Sequence, residues 1–249
     1  MEKDNILVSI TTVTFNSEKT IRDTIESVLN QTYTNIDYII VDGLSKDNTV
    51  EIAKSYEDKF RAKGMTYRII SEKDNGMYDA INKGISMANG VIVGNINSDD
   101  WYEKDAVEKV VKCYQDTKFD LMYADLRMIY ADGRTKVKRS KNGLITTSRG
   151  WNHPTQFGTK ELYMKEKYKL ESLHDDFDLL LRVKRSGYKI VILNEILANF
   201  RMEGMSHDKD LRKAVARGRA RYNIYRNNGY SRLYIIECVA IEAAKWILG

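Results

Sequence analysis

Val91-Ile92-Val93-Gly94-Asn95-Ile96-Asn97-Ser98-Asp99-Asp100-Trp101 is an apolar run that stops at two adjacent carboxylates with an aromatic ring behind them. The run reads as a buried strand. Its end places hard oxygen ligands at the carboxyl edge of a sheet, where open α/β folds take their ligands. Paired carboxylates there suit a divalent cation held against a phosphate. The stretch therefore points to a chain that handles a nucleotide diphosphate.

Upstream of it the pattern alternates. Ile6–Val13 is rich in β-branched residues and reads as a first strand. Ser17 can cap a helix whose apolar positions Ile21, Ile25, Val28 and Leu29 have helical spacing. Tyr38–Val41 is a second strand, ended by Asp42-Gly43. Thr49–Lys63 reads as one helix stopped at Gly64. Tyr67–Ser71 is a third strand, and Tyr78–Ala88 a helix with Ala80, Ile81, Gly84 and Ile85 inward. Such alternation implies a mostly parallel sheet with helices on its faces. Downstream the grammar changes. Glu103–Gln115 is helical, and Asp120–Tyr130 and Arg134–Arg139 flank Ala131-Asp132-Gly133 as a hairpin. Asp176–Ser186 is helical, Tyr188–Leu193 and Ile196–Phe200 are strand-like, and two helices follow from Asp210.

Composition narrows the class. Hydrophobic residues make up 43% and charged residues 30% of 249 residues, as in a soluble globular protein with an ample core. A net charge of +5 is too small to demand nucleic acid, and none is expected as a partner. Cys113 and Cys238 have neither disulfide-framework nor metal spacing. The first residues lack the basic start and apolar middle of a signal peptide. No stretch approaches the ~18 uncharged apolar residues of a spanning helix. The expectation is a cytoplasmic protein, with peripheral contact at the inner face of the plasma membrane as its alternative setting.

Four loops follow predicted strands: Thr12 to Asn16, Asp42 to Thr49, Glu72 to Asp79, and Asn97 to Asp100. All would gather on one sheet edge. Their carboxylates and small polar groups fit base edges and ribose hydroxyls. Neither Gly-x-Gly-x-x-Gly nor Gly-Lys-Ser/Thr occurs, which speaks against a dinucleotide oxidoreductase and a P-loop ATPase. A metal ion must then do much of the phosphate work.

These residues carry a resemblance. Ser9-Ile10-Thr11-Thr12-Val13-Thr14-Phe15-Asn16, Val41-Asp42-Gly43-Leu44-Ser45-Lys46-Asp47-Asn48-Thr49, Asp74-Asn75-Gly76-Met77-Tyr78-Asp79-Ala80-Ile81-Asn82-Lys83-Gly84 and Asn97-Ser98-Asp99-Asp100 are together similar to the motifs of family 2 glycosyltransferases. The likeness is strongest to bacterial surface-polysaccharide enzymes. It implies a glycosyltransferase-A fold: a Rossmann-like, mostly parallel central sheet with flanking helices. Residues 1–207 would form the catalytic domain, divided into a nucleotide half (1–100) and an acceptor half (101–207). Residues 208–249 would be a helical extension.

The resemblance further implies a nucleotide-sugar donor, uridine diphosphate chemistry, a saccharide or lipid-linked acceptor, inversion at the anomeric carbon, and Mn²⁺ or Mg²⁺. Thr12 and Asn16 would lie near the nucleotide, Asp42 would bind the base, and Asp79 would contact base or ribose. Asn97-Ser98-Asp99 occupies the place of the Asp-x-Asp metal motif, with Asn97 a departure from it. Asp99 would be the main metal ligand, and His207 a further one. The spacing to Leu179-Leu180 and Arg182 makes Asp176 the catalytic base and Asp175 the alternative. Trp151 would stack on a sugar, His153 would bond a hydroxyl, and Arg201 would neutralise diphosphate.

Blander readings exist for each. Asp42-Gly43 and Asp132-Gly133 form turns readily. Asp99 and Asp100 could cap a following helix, and Asp175, Asp176 and Asp178 could be a solvated helix start. Trp151 could be ordinary core. The tail, basic in 211–228 and apolar from 231, could rest on an anionic membrane, on the catalytic domain or on a second copy. A sugar nucleotidyltransferase is an alternative activity, but its glycine-rich basic loop after strand one is absent. A non-catalytic nucleotide-sugar binder is another.

Overall fold

The computed structural model describes residues 5–143, 146–202 and 211–248. The chain runs β1 (Val8–Thr14), α1 (Ile21–Leu29), β2 (Ile36–Asp42), α2 (Thr49–Lys54), α3 (Glu57–Ala62), β3 (Thr66–Ser71), α4 (Met77–Met87) and β4 (Ile92–Asn95). It continues through β5 (Trp101–Tyr102), α5 (Ala106–Thr117), β6 (Leu121–Ile129), β7 (Thr135–Lys138), β8 (Phe157–Thr159), α6 (Lys160–Glu166), α7 (Asp175–Arg185), β9 (Ile190–Arg201), α8 (Leu211–Asn227) and α9 (Tyr234–Leu248).

Among the described residues the strands form one sheet in the order β3-β2-β1-β4-β8-β6-β9-β5, with β7 paired to β6. β1 lies parallel to β2 and β4, and β2 parallel to β3. This is the expected parallel half, and all four of its carboxyl ends fall on one edge. Beyond β4 the sheet is mixed, because β8 runs antiparallel to both β4 and β6, whereas β6 and β9 are parallel.

β1 and β2 are buried along their whole length, so their polar side chains must be satisfied inside. Ser9 donates to Asp37 at 2.7 Å, and Thr11 to Asn95 at 3.0 Å. α4 presses on β1 so closely that a Cβ on Gly84 would meet the Thr11 methyl at 3.0 Å. Helix α4 is thereby fixed with its amino end over the functional edge.

Several local expectations are corrected. Residues 49–63 form two short helices. Ser55 Oγ bonds back to the Ile52 carbonyl at 2.7 Å, an interaction that competes with the helix ladder. Tyr56 turns in to donate to Glu26 at 2.6 Å. Residues 190–201 form one strand, not two, and two register shifts opposite Ala124–Leu126 absorb Asn194, Glu195 and Leu197. β5, β8 and α6 are too short to show a period in sequence.

The two C-terminal helices dock one face on the helical layer of the core. Ile224, Tyr225 and Cys238 join the apolar cluster of α4 and α7. Tyr225 meets Phe177 edge-on at 5.3 Å, and Asn228 donates to Asp178 at 2.7 Å. The other face leaves Leu233, Ile236 and Val239 exposed. Among the described residues no helix is long and apolar enough to cross a membrane.

Candidate active site

The loops after β1 and β2 are laced together. Asn16, with a left-handed φ of 50°, donates its amide to Ser45 Oγ at 2.8 Å and accepts the Lys46 amide at 2.8 Å. Leu44 is also left-handed, at φ 64°. A branched side chain there stores strain of about 1 kcal/mol, a sign seen often at functional loops. Asp42 is fully buried. It accepts the Ser45 amide at 3.0 Å, the Ser45 hydroxyl, and the Ser71 hydroxyl at 2.6 Å. The carboxylate thus shapes the loop, and the two hydroxyls are donors that can turn aside for a ligand. Thr12 corrects an expectation: its side chain faces the core, where it accepts the buried Tyr38 hydroxyl at 3.0 Å.

Beside Asp42 lies a slot that sequence reasoning did not single out. Phe15 is 58% exposed. Gly43 lies beneath it, so close to Asp74 that a Cβ would meet Asp74 Oδ2 at 2.6 Å and Phe15 at 3.5 Å. Asp74 is oriented by the Gly76 amide, 2.9 Å from its Oδ1. An exposed ring, a missing Cβ and a carboxylate suit a flat heterocycle bearing N–H donors. Asp79 reaches back to the Asn75 amide at 2.9 Å, with Lys83 at 3.6 Å, so it secures the first turn of α4.

The loop after β4 concentrates negative charge. Ser98 shares a hydrogen bond with Ser17 at 2.8 Å, and Asn97 takes that of Asn95 at 3.5 Å. Asp99 is half-buried, and burial raises its carboxyl above the ordinary range while the Arg201 charge opposes this. Among the described residues no other side chain bonds its carboxylate. Asp100 is no helix cap, since α5 begins at Ala106. It is fully buried, takes the Arg201 amide at 3.1 Å on Oδ1, and has no partner on Oδ2. Burial, then the neighbouring Asp99, pushes its carboxyl well up. An orphaned buried oxygen beside an unpaired carboxylate fits a hard divalent cation, whose remaining ligands would come from diphosphate and water. Among the described residues no group of three His, Cys, Asp or Glu closes a cation site without such help. Arg201 stacks over Trp101 at 5.1 Å and pairs with Asp23 at 2.7 Å, so its charge is shared before any phosphate arrives. His207 lies outside the described residues.

The amino end of α7 forms the other wall. Asp175 is 2% exposed and accepts the Glu171 and Ser172 amides at 2.8 and 3.0 Å, so it holds its own loop. Asp176 is only half-buried. It accepts the Phe177 amide at 2.7 Å and stands beside the Tyr78 phenol, which donates to the Leu173 carbonyl at 3.1 Å and which burial, then this carboxylate, keep protonated. Its field also reaches His153, whose imidazole burial holds neutral, and whose Nε2 meets the Tyr168 hydroxyl at 3.1 Å. For Asp178 burial is outweighed by Arg182 and Asn228, which hold its carboxyl low; it ties α7 to the tail. Trp151 is the second correction. At 6% exposure, with its indole N–H given to Gln156 at 2.8 Å, it leaves no ring face for a sugar.

The register connects the two walls. β8 pairs with β4 through Phe157 opposite Gly94, so residues 153–156 run on beside the carboxyl end of β4. His153 therefore lies near the carboxyl end of β4 and within the field of Asp176, on the edge that also carries the Phe15–Gly43–Asp74 slot.

Comparison with known proteins agrees with this layout. The family model Glycosyl transferase family 2 matches residues 9–179. Chondroitin synthase of Pasteurella multocida (strain Pm70) is 29% identical over 209 residues, covering 80% of this chain and 21% of that protein. Chondroitin synthase of Escherichia coli is 34% identical over 161 residues, covering 65% and 20%. The chain thus spans about a fifth of the length of these relatives. S. aureus TarS 1-349 in complex with UDP-GlcNAc superposes with a TM-score of 0.67 at 17% identity, over 96% of this chain and 72% of that one. Mannosyltransferase PcManGT from Pyrobaculum calidifontis, in complex with GDP-Man and Mn²⁺, superposes at 0.70 with 13% identity, over 95% and 70%. At such identities these two structures speak to the fold. With the family model covering well over half of its length, the chain belongs to glycosyl transferase family 2 and has the glycosyltransferase-A fold.

Proposed function

We propose that residues 1–207 transfer a sugar, with inversion, from a uridine diphosphate sugar to a saccharide or lipid-linked saccharide, in the building of a bacterial surface polysaccharide. The observation that carries this reading is the grouping on one sheet edge of a base-sized slot, an unpaired Asp99 and a half-buried Asp176.

The base would enter against Phe15, over Gly43, with Asp74 and Asp42 accepting its N–H groups. Asp79 and the Asn16–Ser45 hinge would hold the ribose side. Asp99, with Asp100 behind it, would hold Mn²⁺ or Mg²⁺, which supplies charge neutralisation to the departing diphosphate. Arg201 adds a second positive group from the adjoining strand. Asp176 would accept the proton of the attacking hydroxyl, on the opposite side of the sugar from the diphosphate. The Phe177 amide fixes its orientation, and His153, neutral, offers a hydrogen bond to a sugar hydroxyl. Asp175 positions Asp176 by closing the loop before it. Single displacement of this geometry inverts the anomeric centre.

The protein would work in the cytoplasm. The exposed Ile236 and Val239 of α9, with Leu233 just before it and next to the basic α8, support a resting place on the anionic inner leaflet. The test is a panel of nucleotide sugars assayed for binding and hydrolysis with and without Mn²⁺. Uridine diphosphate sugars should bind with cation dependence and release diphosphate slowly. A panel in which none binds, or in which nucleotide triphosphate and sugar phosphate are joined instead, contradicts the reading.

A further inference from the structure

Three cations that the transfer chemistry leaves unassigned lie within one another's electrostatic field, and Asp176 lies within that of Lys138. Lys138 ends β7, Arg149 lies in the short turn Ser148–Gly150, and Lys245 comes from α9. Lys138 is half-buried and donates to the Trp151 carbonyl at 2.8 Å. That carbonyl is its one hydrogen-bond partner among the described residues, so two of its three ammonium protons are uncommitted. The charges that reach it are those of Arg149, Asp176 and Lys245, two cations against one carboxylate. The Arg149 guanidinium makes no hydrogen bond or ion pair among the described residues.

The nearby carboxylates are otherwise engaged. Glu242 holds Arg221 at 3.0 Å and Arg217 at 3.1 Å, which leaves Lys245 more distant at 3.8 Å. Glu237 is bound by the hydroxyls of Thr147 and Tyr225. His174 Nε2, one residue before the α7 amino end and within the fields of Asp176 and Lys245, is buried without a partner. Like charges within one another's field repel, and uncommitted donors on one side of the fold with an orphaned buried nitrogen are an arrangement an anion completes.

We propose that Lys138, Arg149 and Lys245 form an anion subsite beside Asp176 that takes a phosphate or carboxylate carried by the acceptor. The placement at Asp176 rests on that residue facing the acceptor. The subsite would select acidic acceptors and hold the attacking hydroxyl against the base.

The test uses the full chain with its nucleotide site filled by UDP and Mn²⁺. Methyl phosphate and the methyl glycoside of glucuronic acid are titrated separately by calorimetry, so that the two sources of anion are distinguished. One or both should bind the wild type. Lys138→Gln, Arg149→Gln and Lys245→Gln combined should weaken binding about tenfold or more, the loss of one charge-assisted hydrogen bond. UDP affinity should be unchanged. Arg219→Gln with Arg226→Gln, an equal kind of charge loss on the outer face of α8, should leave anion binding intact. Equal binding by wild type and triple variant, competition of the anion with UDP, or binding of neither probe overturns the subsite. A chain that binds the anion but no uridine nucleotide sinks the donor reading and leaves the subsite standing.

Discussion

Gly43→Ala isolates the base slot. A Cβ at this position would lie 2.6 Å from Asp74 Oδ2, whereas ordinary carbon contacts begin near 3.5 Å. One of the two must move by about 0.9 Å. Asp74 is the end of a half-buried side chain held by one amide, so it can swing, and the fold should lose no more than about 0.5 kcal/mol. For a chain of this size that is about 1–2 °C in Tm. The slot fares worse, because the new methyl fills the space under Phe15 and Asp74 loses its aim. Losing one hydrogen bond to a charged acceptor, about 1.5–3 kcal/mol, lowers nucleotide affinity by about ten- to a hundredfold. Calorimetric titration of UDP with Mn²⁺ measures the affinity, and a thermal melt the stability. Undiminished UDP affinity would refute the placement of the base. A fall of many degrees in Tm with affinity kept would make Gly43 a packing residue only.

Asp175→Ala leaves the Glu171 and Ser172 amides without their acceptor, which should cost about 2–4 kcal/mol and lower Tm by about 4–16 °C; UDP affinity should be kept, and a Tm unchanged on melting would show that the loop is held elsewhere. Asp99→Ala should erase the dependence of UDP affinity on Mn²⁺, and identical titrations with and without cation in wild type and variant would refute the ligand assignment. Burial, then Arg149, holds the Lys138 ammonium down at about 8. With the folded value below the unfolded one, the unfolded chain binds more protons above pH 8, so stability gains from this group as pH rises towards about 10.4. The unfolding free energy of wild type minus that of Lys138→Gln should climb over that range by at most about 1.4 kcal/mol per pH unit; a flat difference would put Lys138 in free solvent.

Much of the nucleotide half was legible because its signals are long. β1, β2 and β4 are continuous buried runs, and α1 and α4 carry apolar residues at helical spacing over several turns. The loops at their ends had then only one edge on which to gather. Phe15 and Asp74 lay inside recognised motifs, yet their pairing across Gly43 depends on how two loops pack, which spacing does not encode. In the second half β5 and β8 have two and three residues, too few for a period. The bulge in β9 hid one strand as two. Trp151 shows the same limit at one residue: the sequence offers an aromatic beside a histidine, and only the Gln156 bond and the Phe177 ring, 6.2 Å away, decide that it faces inward. The cation cluster left no mark at all, since Lys138, Arg149 and Lys245 are brought together by a strand, a turn and the last helix.

The central claim is that Asp176 takes the proton on one side of the sugar while the Asp99 edge holds the nucleotide and its cation on the other. The most direct measurement is sugar transfer by Asp176→Asn, followed alongside its Mn²⁺-dependent UDP affinity. Transfer should fall by about 10²–10⁴-fold, the usual contribution of a general base, with UDP affinity and its cation dependence as in the wild type. Undiminished transfer, or loss of the nucleotide together with the activity, would contradict it.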